Sequence, residues 1–310
     1  LAMQENNRVA LFSDDPDWHA RRLTDALARR GVEAVWLSFT DCSFDNSSPT
    51  SGLVLPGFET ELPSGALTRL IDPGTLEQIT TRLDILHALD ALGIVVSNSA
   101  RAIERTVDKS MASFLLANAG LATPLTWTCE SPQKARAILQ HQTRNGGKLV
   151  LKPLFGAQGK GLRLLDASSP LPDPEEVDGV YYLQQFIDTT TGGEGWHDWR
   201  VFVIGGKAVA AMIRRGKGWI TNVLQGGVCE AAPLESGLVD LAVAAARALG
   251  TDYAGVDILR DHEGRFQILE VNSVPAWKGL QGVIEVDLAQ AIVDDFLSRI
   301  DATSPVRIAG

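Results

Sequence analysis

Asp257, Glu270 and Asn272 are the residues whose types and spacing point most directly to chemistry. Glu270 and Asn272 stand two apart in a run with strand character, so their side chains project from one face. Asp257 lies in the preceding strand-like run and reaches that face if the two runs pair in a suitable register. Val256, Ile258, Leu269 and Val271 then turn the other way, into a core. Two carboxylates and a neutral amide suit magnesium, which takes a few protein oxygens beside phosphate oxygens and water. The alternative is a solvated polar stripe on a hairpin, the commoner use of such a pattern. The neutral Asn272 limits the accumulation of negative charge and favours the metal.

A second constellation is Lys152-Pro153-Leu154-Phe155-Gly156-Ala157-Gln158-Gly159-Lys160-Gly161, between two strand-like runs. Gly156, Gly159 and Gly161 permit positive φ and close backbone approach to a ligand. Successive N–H groups there can form a nest for phosphate oxygens. No Ser or Thr follows the lysine and a strand comes next, so this is not a Walker P-loop. Taken alone, such a loop is more often a flexible hairpin. Arg200, in Asp198-Trp199-Arg200, and Arg214 present planar forks that match carboxylate and phosphoryl oxygens, although a single arginine is by default a surface residue. Lys109 sits in a helical segment and carries no signal by itself.

The elements that must position these residues change character along the chain. Residues 8–12, 32–39, 52–55 and 94–97 read as strands, and 19–30 and 75–92 as helices, which makes a small α/β layer with a parallel sheet. The first strand is followed by Phe12-Ser13-Asp14-Asp15 rather than a glycine-rich turn, which argues against a dinucleotide there. Helices are expected over 108–119 and from Pro132, capped by Ser131, to 144. Strands follow at 124–129, 148–152, 162–165, 180–186 and 200–204, and Gly205-Gly206 turns the last into 208–214. A helix at 238–249, strands at 254–260 and 265–271 and a closing helix at 284–300 complete the chain. Segments 166–178 and 188–198 are the longest loops and are lid candidates. The fold class is α/β, becoming α+β towards the C-terminus, and the expected division is 1–97, 98–187 and 188–310.

The 310 residues are enough for two or three compact units with real cores. A net charge of -10 and a pI near 5.0 give no general attraction for phosphate backbones, so nucleic acid is not an expected partner. No apolar run approaches a membrane span, and the polar opening segment does not resemble a signal peptide, so a cytoplasmic protein is expected. Leu1 and Ala2, ahead of Met3, read as an appended remnant. Cys42, Cys129 and Cys229 are scattered, as buried or surface thiols in a reducing compartment would be.

From about Val95 onward the chain resembles the RimK-type glutamate ligases of the ATP-grasp superfamily. The resemblance rests on several motifs in order: the run Ser97 to Lys109 entering the nucleotide domain, the glycine loop with Lys152, and Gln184-Gln185-Phe186-Ile187 as an adenine-binding hinge. Asp198-Trp199-Arg200, Arg214, Asn222 and Gly226-Gly227 follow, then the two runs bearing Asp257 and Glu270-Val271-Asn272. It implies an ATP-grasp fold behind an N-terminal Rossmann-like domain. It implies that Lys109 and Lys152 hold ATP phosphates under the loop of Gly156, Gln158, Gly159 and Gly161, and that Gln184, Gln185, Phe186 and Ile187 meet adenine. Asp257, Glu270 and Asn272 would bind magnesium, with manganese an acceptable substitute, and Arg200 and Arg214 would steady the transferring phosphate. Gln185 stands where many relatives carry Glu, and 188–196 differs in length and composition from the ribosomal-protein modifiers.

Asp14-Asp15-Pro16-Asp17-Trp18-His19 and Val274-Pro275-Ala276-Trp277-Lys278-Gly279-Leu280-Gln281 are further similar to ligases of tetrahydromethanopterin biosynthesis in methylotrophic bacteria. The resemblances imply an ATP- and magnesium-dependent carboxylate–amine ligase, releasing ADP and phosphate and adding glutamate to a small acidic coenzyme precursor. A dimer or tetramer is common in the family. Arg214, Arg215 and Lys217 offer a cationic cluster, and Trp219 or Trp277 a stacking surface for a pterin, unless both are core. The rival readings are a protein-directed RimK ligase, an ATP-grasp kinase and a module that binds ATP without turnover.

Overall fold

The computed structural model describes residues 7–47, 52–156, 159–190 and 193–303. Strand β1 (Arg8–Phe12), helix α1 (Trp18–Arg29) and strand β2 (Glu33–Leu37) open the chain. Strands β3 (Ser43–Phe44) and β4 (Leu53–Val54) form a separate two-stranded antiparallel ribbon. Strand β5 (Gly65–Thr68), helix α2 (Leu76–Ala91) and strand β6 (Val95–Ser97) complete a four-stranded sheet in the order β2-β1-β5-β6, parallel throughout. The run at 52–55, expected in this sheet, thus lies in the ribbon, and β5 takes its place beside β1. The Gly-Ala-Leu-Thr sequence of β5 carries almost no β-branched or aromatic signal, yet all four residues are buried.

Helices α3 (Ala100–Val107) and α4 (Lys109–Asn118) follow, separated at Asp108, whose carboxylate accepts from the Ser110 and Met111 amides and caps α4. Strand β7 (Thr126–Cys129), helix α5 (Pro132–Thr143) and strands β8 (Leu149–Lys152), β9 (Arg163–Leu165) and β10 (Tyr181–Gln185) build an antiparallel sheet ordered β7-β10-β8-β9. Its α5 face holds the core of Ala135, Leu139, Leu151 and Tyr181. Leu171 joins that core and Tyr181 donates to the Pro172 carbonyl at 2.8 Å. Segment 166–178 is therefore packed on the α5 side of the sheet, and its expected role as a lid is withdrawn.

The third sheet has five antiparallel strands, β13-β12-β11-β14-β15. In chain order these are β11 (His197–Ile204), β12 (Lys207–Arg215) and β13 (Val228–Ala232), then helix α6 (Ser236–Leu249), then β14 (Tyr253–Arg260) and β15 (Phe266–Asn272). One face packs on α6 through Trp199, Val201, Val256, Ile258, Ile268 and Val271. The opposite face is divided along the strands. Phe202, Ile204 and Met212 enter a core shared with Val9 and Leu11 of β1, while Asp198, Arg200, Arg214 and Asp257 occupy the other end. The short helix α7 (Lys278–Gln281) and the closing helix α8 (Leu288–Thr303) follow. Ile292, Val293 and Phe296 of α8 are buried in the same core as Leu23 and Leu27 of α1, so the last helix seals the first sheet. Among the described residues no helix is long and apolar enough to cross a membrane.

Candidate active site

Sheet register sets the polar end of the third sheet. Arg200 on β11 lies opposite Asp257 on β14, Asp198 opposite Arg214 on β12, and Asp257 opposite Glu270 on β15. Cross-strand neighbours on one face touch; the two arginine–aspartate neighbours pair by charge, while Asp257 and Glu270 set two carboxylates side by side. Arg200 donates to both oxygens of Asp257, through Nε at 2.7 Å and Nη2 at 2.8 Å. Arg214 Nη2 lies 3.0 Å from Asp257 Oδ2, and Arg214 also makes a two-pronged pair with Asp198, its Nε donating at 2.8 Å. Burial alone raises the Asp257 pKa, but Arg200 and Arg214 outweigh it and hold the carboxyl below the usual range.

A bulge between Asp257 and Ile258 skips one residue of β15, so that Ile258 faces Ile268. The extra residue, Leu269, lines the cleft beside Glu270 and Leu259 instead of turning into the core. Simple alternation, which sends Leu269 inward, fails there for that reason.

Lys152, the last residue of β8, projects from the second sheet towards this lattice. Its ammonium is buried, which pulls its pKa down to about 8, with Glu270 opposing the shift and Lys109 adding to it. Lys109, the first residue of α4, is shifted down by burial too, and Glu270 again opposes. Its Nζ donates to the carbonyls of Leu154 at 3.3 Å and Gly156 at 2.5 Å. No hydrogen bond to the Glu270 carboxylate occurs among the described residues. The carboxylate therefore stands near two lysines with its oxygens available.

These groups line one open cleft between the second and third sheets. Its walls include Lys109, Lys152, Gly156, Gly159, Gln184, Gln185, Phe186, Ile187, Arg214, Asp257 and Glu270 from the sequence-level set. Arg200, Gly161 and Asn272 do not line it: Arg200 backs Asp257, Asn272 donates its side-chain N–H to the Gly255 carbonyl at 3.4 Å, and a Cβ at Gly161 would meet Pro153 at 2.8 Å. Gln158 lies outside the described residues. Gly159, at φ +71°, comes so near the opposite wall that a Cβ would stand 2.7 Å from Asn222 Oδ1 and 2.9 Å from Ile220 Cγ2.

The hinge forms the apolar end of the cleft. Gln184 is buried, and Gln185 N donates to Leu125 O at 2.8 Å. The Phe186 ring sits 5.9 Å from that of Trp219 and 5.9 Å from that of Trp196. Val150, Leu162, Ile220 and Leu259 complete this end. In the sequence these four are isolated apolar residues that look like core, and Asp198 carries no signal of a role, since the Asp198–Arg214 pair is formed by strand register.

Two sequence expectations fail. Trp277 is 1% exposed, packed against His19 and Phe202, so it offers no stacking surface. The cationic cluster is largely neutralised: Arg214 is paired twice, and Arg215 pairs with Glu230 at 2.9 Å.

The residues present fit a magnesium ion. Glu270 supplies a carboxylate without a hydrogen bond among the described residues and Asp257 a second one at its cross-strand position, while Asn272, two residues on from Glu270, would have to turn its amide oxygen into the cleft to join them. This is a hard-oxygen set that leaves positions for phosphate. Among the described residues no group of three or more His, Cys, Asp or Glu side chains gathers as a metal site, so a carboxylate-rich, protein-only cage is not what this arrangement offers.

Comparison with known proteins agrees with the geometry. The RimK-like ATP-grasp domain matches residues 106–296. The tetrahydromethanopterin:alpha-L-glutamate ligase of Methanococcus maripaludis is 35% identical over 94% of this chain and 98% of that protein. The enzyme of the same name from Methanosarcina acetivorans is 30% identical over 91% and 96%. The solved structure of the ATP-grasp ligase PsnB, complexed with a phosphomimetic variant of its minimal precursor, Mg and ADP, shares the fold at a TM-score of 0.74 and 22% identity, over 95% of this chain and 99% of that one. By family match, by identity across nearly its whole length and by fold, this chain belongs to the RimK-like ATP-grasp ligases.

Proposed function

We propose that this protein is an ATP- and magnesium-dependent ligase that joins the amine of L-glutamate to a carboxylate of a small coenzyme precursor of the tetrahydromethanopterin type. The observation that carries the chemistry is the convergence of Lys109, Lys152 and Arg214 with Asp257 and Glu270 on one cleft. The substrate class is supported by the near full-length similarity to the two tetrahydromethanopterin:alpha-L-glutamate ligases, not by a cationic patch or by Trp277.

In this reading the cleft between portions 98–187 and 188–310 takes ATP. Adenine enters the apolar end, where Gln184, Gln185 and Ile187 meet its edge and Phe186 and Trp219 form its wall. Lys109 and Lys152 meet the phosphates, and the loop carrying Gly156, Gly159 and Gly161 covers them. Lys109 leaves the Leu154 and Gly156 carbonyls to do so. Asp257, Glu270 and Asn272 would hold magnesium, which when bound neutralises phosphate charge. Because Arg200 holds both Asp257 oxygens and Arg214 also holds Oδ2, Arg200 must yield Oδ1 for that oxygen to be free, and its Nε can then meet a phosphoryl oxygen. The substrate carboxylate attacks the γ-phosphorus, the bond to the β-phosphate oxygen breaks, and ADP leaves. The glutamate nitrogen attacks the acyl carbon, sheds a proton, and inorganic phosphate departs. The protein's part is alignment and charge stabilisation.

The test is to incubate the protein with ATP, Mg2+, L-glutamate and tetrahydromethanopterin, and in parallel with a ribosomal protein as acceptor. The coenzyme is expected to gain a glutamyl residue by mass spectrometry. Glutamylated protein beside untouched coenzyme would overturn the substrate and leave the ligase.

A further inference from the structure

The two segments singled out in the sequence but unused by the cleft, 14–19 and 274–281, meet in space. His19, the last residue of the first segment and the second of α1, is buried where they meet. Its Nε2 accepts from two consecutive backbone amides, Trp277 N at 3.1 Å and Lys278 N at 3.2 Å. Two N–H groups aimed at one ring nitrogen require that nitrogen to carry its lone pair, so the proton sits on Nδ1 and is donated to Asp17 Oδ2 at 2.8 Å; Arg69 Nη2, also 3.1 Å from Nδ1, then directs its hydrogen to the carboxylate and not to the ring. Arg69 Nη2 donates to the same carboxylate oxygen at 2.8 Å, which fixes Asp17 in turn. The imidazole is thus held in one tautomer and one orientation.

The segment that His19 grips begins one residue after Asn272. Between those points Arg200 Nη1 reaches the Ala276 carbonyl at 3.4 Å while its other nitrogens hold Asp257. Pro275 presses on β14 where Gly255 has no side chain: a Cβ there would stand 3.0 Å from Pro275 Cβ and 3.5 Å from Arg200 Cδ. The start of the segment is pinned from the other side. Asn98, fully buried, donates to Ser273 O at 2.6 Å and Tyr253 O at 2.8 Å and accepts from Asp252 N at 2.6 Å.

We propose that His19 is a positioning residue for the reaction: as a neutral acceptor it latches segment 273–278 to the first sheet and thereby sets Arg200 against Asp257. The inference rests on the placement of Asp257 in the active site. Protonation of Nε2 would turn an N–H towards two N–H donors and open the latch. The charged groups facing the ring are Asp17, Arg69 and Lys278; burial and the two cations lower the His19 pKa against the pull of Asp17, which keeps the latch closed at neutral pH.

His19→Gln and His19→Asn separate this role from mere packing. Both are uncharged amides, but only glutamine places an oxygen near the Nε2 position. Hydrogen–deuterium exchange of peptides covering 273–281 reads the latch without any substrate, and ADP release with Mg2+, L-glutamate and tetrahydromethanopterin reads its consequence. His19→Asn is expected to speed exchange of that segment and lower kcat by about tenfold to a hundredfold while the ADP Kd stays unchanged. His19→Gln is expected to keep the segment protected, retain kcat, and lose the acid limb that the unmodified protein shows below the ordinary histidine range. A segment that stays protected in His19→Asn, an opened segment with undiminished kcat, or a His19→Gln variant as impaired as His19→Asn would overturn the proposal. Should His19→Asn fail to fold, the His19→Gln pair of measurements decides: an opened segment, reduced kcat or a retained acid limb overturns it. An unmodified protein that releases no ADP would count against the ligase reading, and the exchange comparison would still decide the latch.

Discussion

Lys152 carries a charge that the unliganded protein accommodates poorly. Its pKa, pulled down to about 8 by burial, lies below the ordinary lysine value, so between those two values the unfolded chain binds the proton and the native chain releases it. Stability from this group therefore rises as pH rises through that window. Nucleotide binding runs the other way, because phosphates favour the ammonium. The affinity for ADP is expected to be flat below about pH 8 and to weaken above it, with proton uptake visible when calorimetry is repeated in buffers of different ionisation enthalpy. Lys152→Met is expected to abolish that pH dependence and weaken binding more than Lys160→Met, since Lys160 is exposed on the loop. Equal losses from both variants would show the anchor to be misassigned. The two acidic residues differ more than their types suggest. Glu270→Gln breaks no side-chain hydrogen bond among the described residues but removes a carboxylate that supports the Lys109 and Lys152 ammoniums, so turnover is expected to fall on the order of a hundredfold or more with a smaller loss of thermal midpoint than in Asp257→Asn. Asp257→Asn strips the partner of Arg200 and Arg214, and a broken buried pair costs about 3–5 kcal/mol. It is expected to lose both activity and stability, as paired turnover and melting measurements will show.

At the scale of elements, the glycine loop is defined by what it approaches. Gly159 combines φ +71° with a would-be Cβ only 2.7 Å from Asn222 Oδ1, so Gly159→Ala strains the backbone and pushes the loop off the opposite wall. We expect kcat to fall about tenfold with little change in melting, because the loop is not part of any core; unchanged turnover would mean that closure does not matter. The elements themselves explain what could be read in advance. Runs such as 8–12, 75–92 and 254–260 fall close to their expected bounds, and Asp257 and Glu270 meet because alternation sets the face of each and the strand pairing sets them opposite one another. Short strands with weak composition escaped: β5, and β13 at the sheet edge with its exposed Val228 and Glu230. The Leu269 bulge could not be read at all, since one inserted residue reverses the facing of its neighbours without changing composition. Helix α3 was hidden in the motif leading to Lys109. Its Ser99 cap is the signal that identifies it, as an N-cap hydroxyl ahead of a periodic run.

At the scale of the whole molecule, the first and third sheets share one core through Trp277, Phe296 and the α1–α8 contact. A lesion in α8 should therefore be felt in both of these sheets. Phe296→Ala is expected to destabilise the protein by about 3–5 kcal/mol in a single transition in denaturant, with sheet-one and sheet-three tryptophans reporting the same midpoint; separate midpoints would show that the units unfold independently. The same continuity links His19 to Arg200 and Arg200 to Asp257, so the first sheet is a support for the chemistry as well as a neighbour of it. In the proposed function, two sheets and a glycine loop assemble a site where a carboxylate is activated as its acyl phosphate. The measurement that reaches it most directly uses an acceptor with a heavy-oxygen-labelled carboxylate, ATP, Mg2+ and L-glutamate, followed by analysis of the spent nucleotide and of the phosphate by mass. ADP, with one labelled oxygen carried from the carboxylate into inorganic phosphate, is the predicted result. AMP with pyrophosphate, or phosphate free of label beside ligated product, would contradict it.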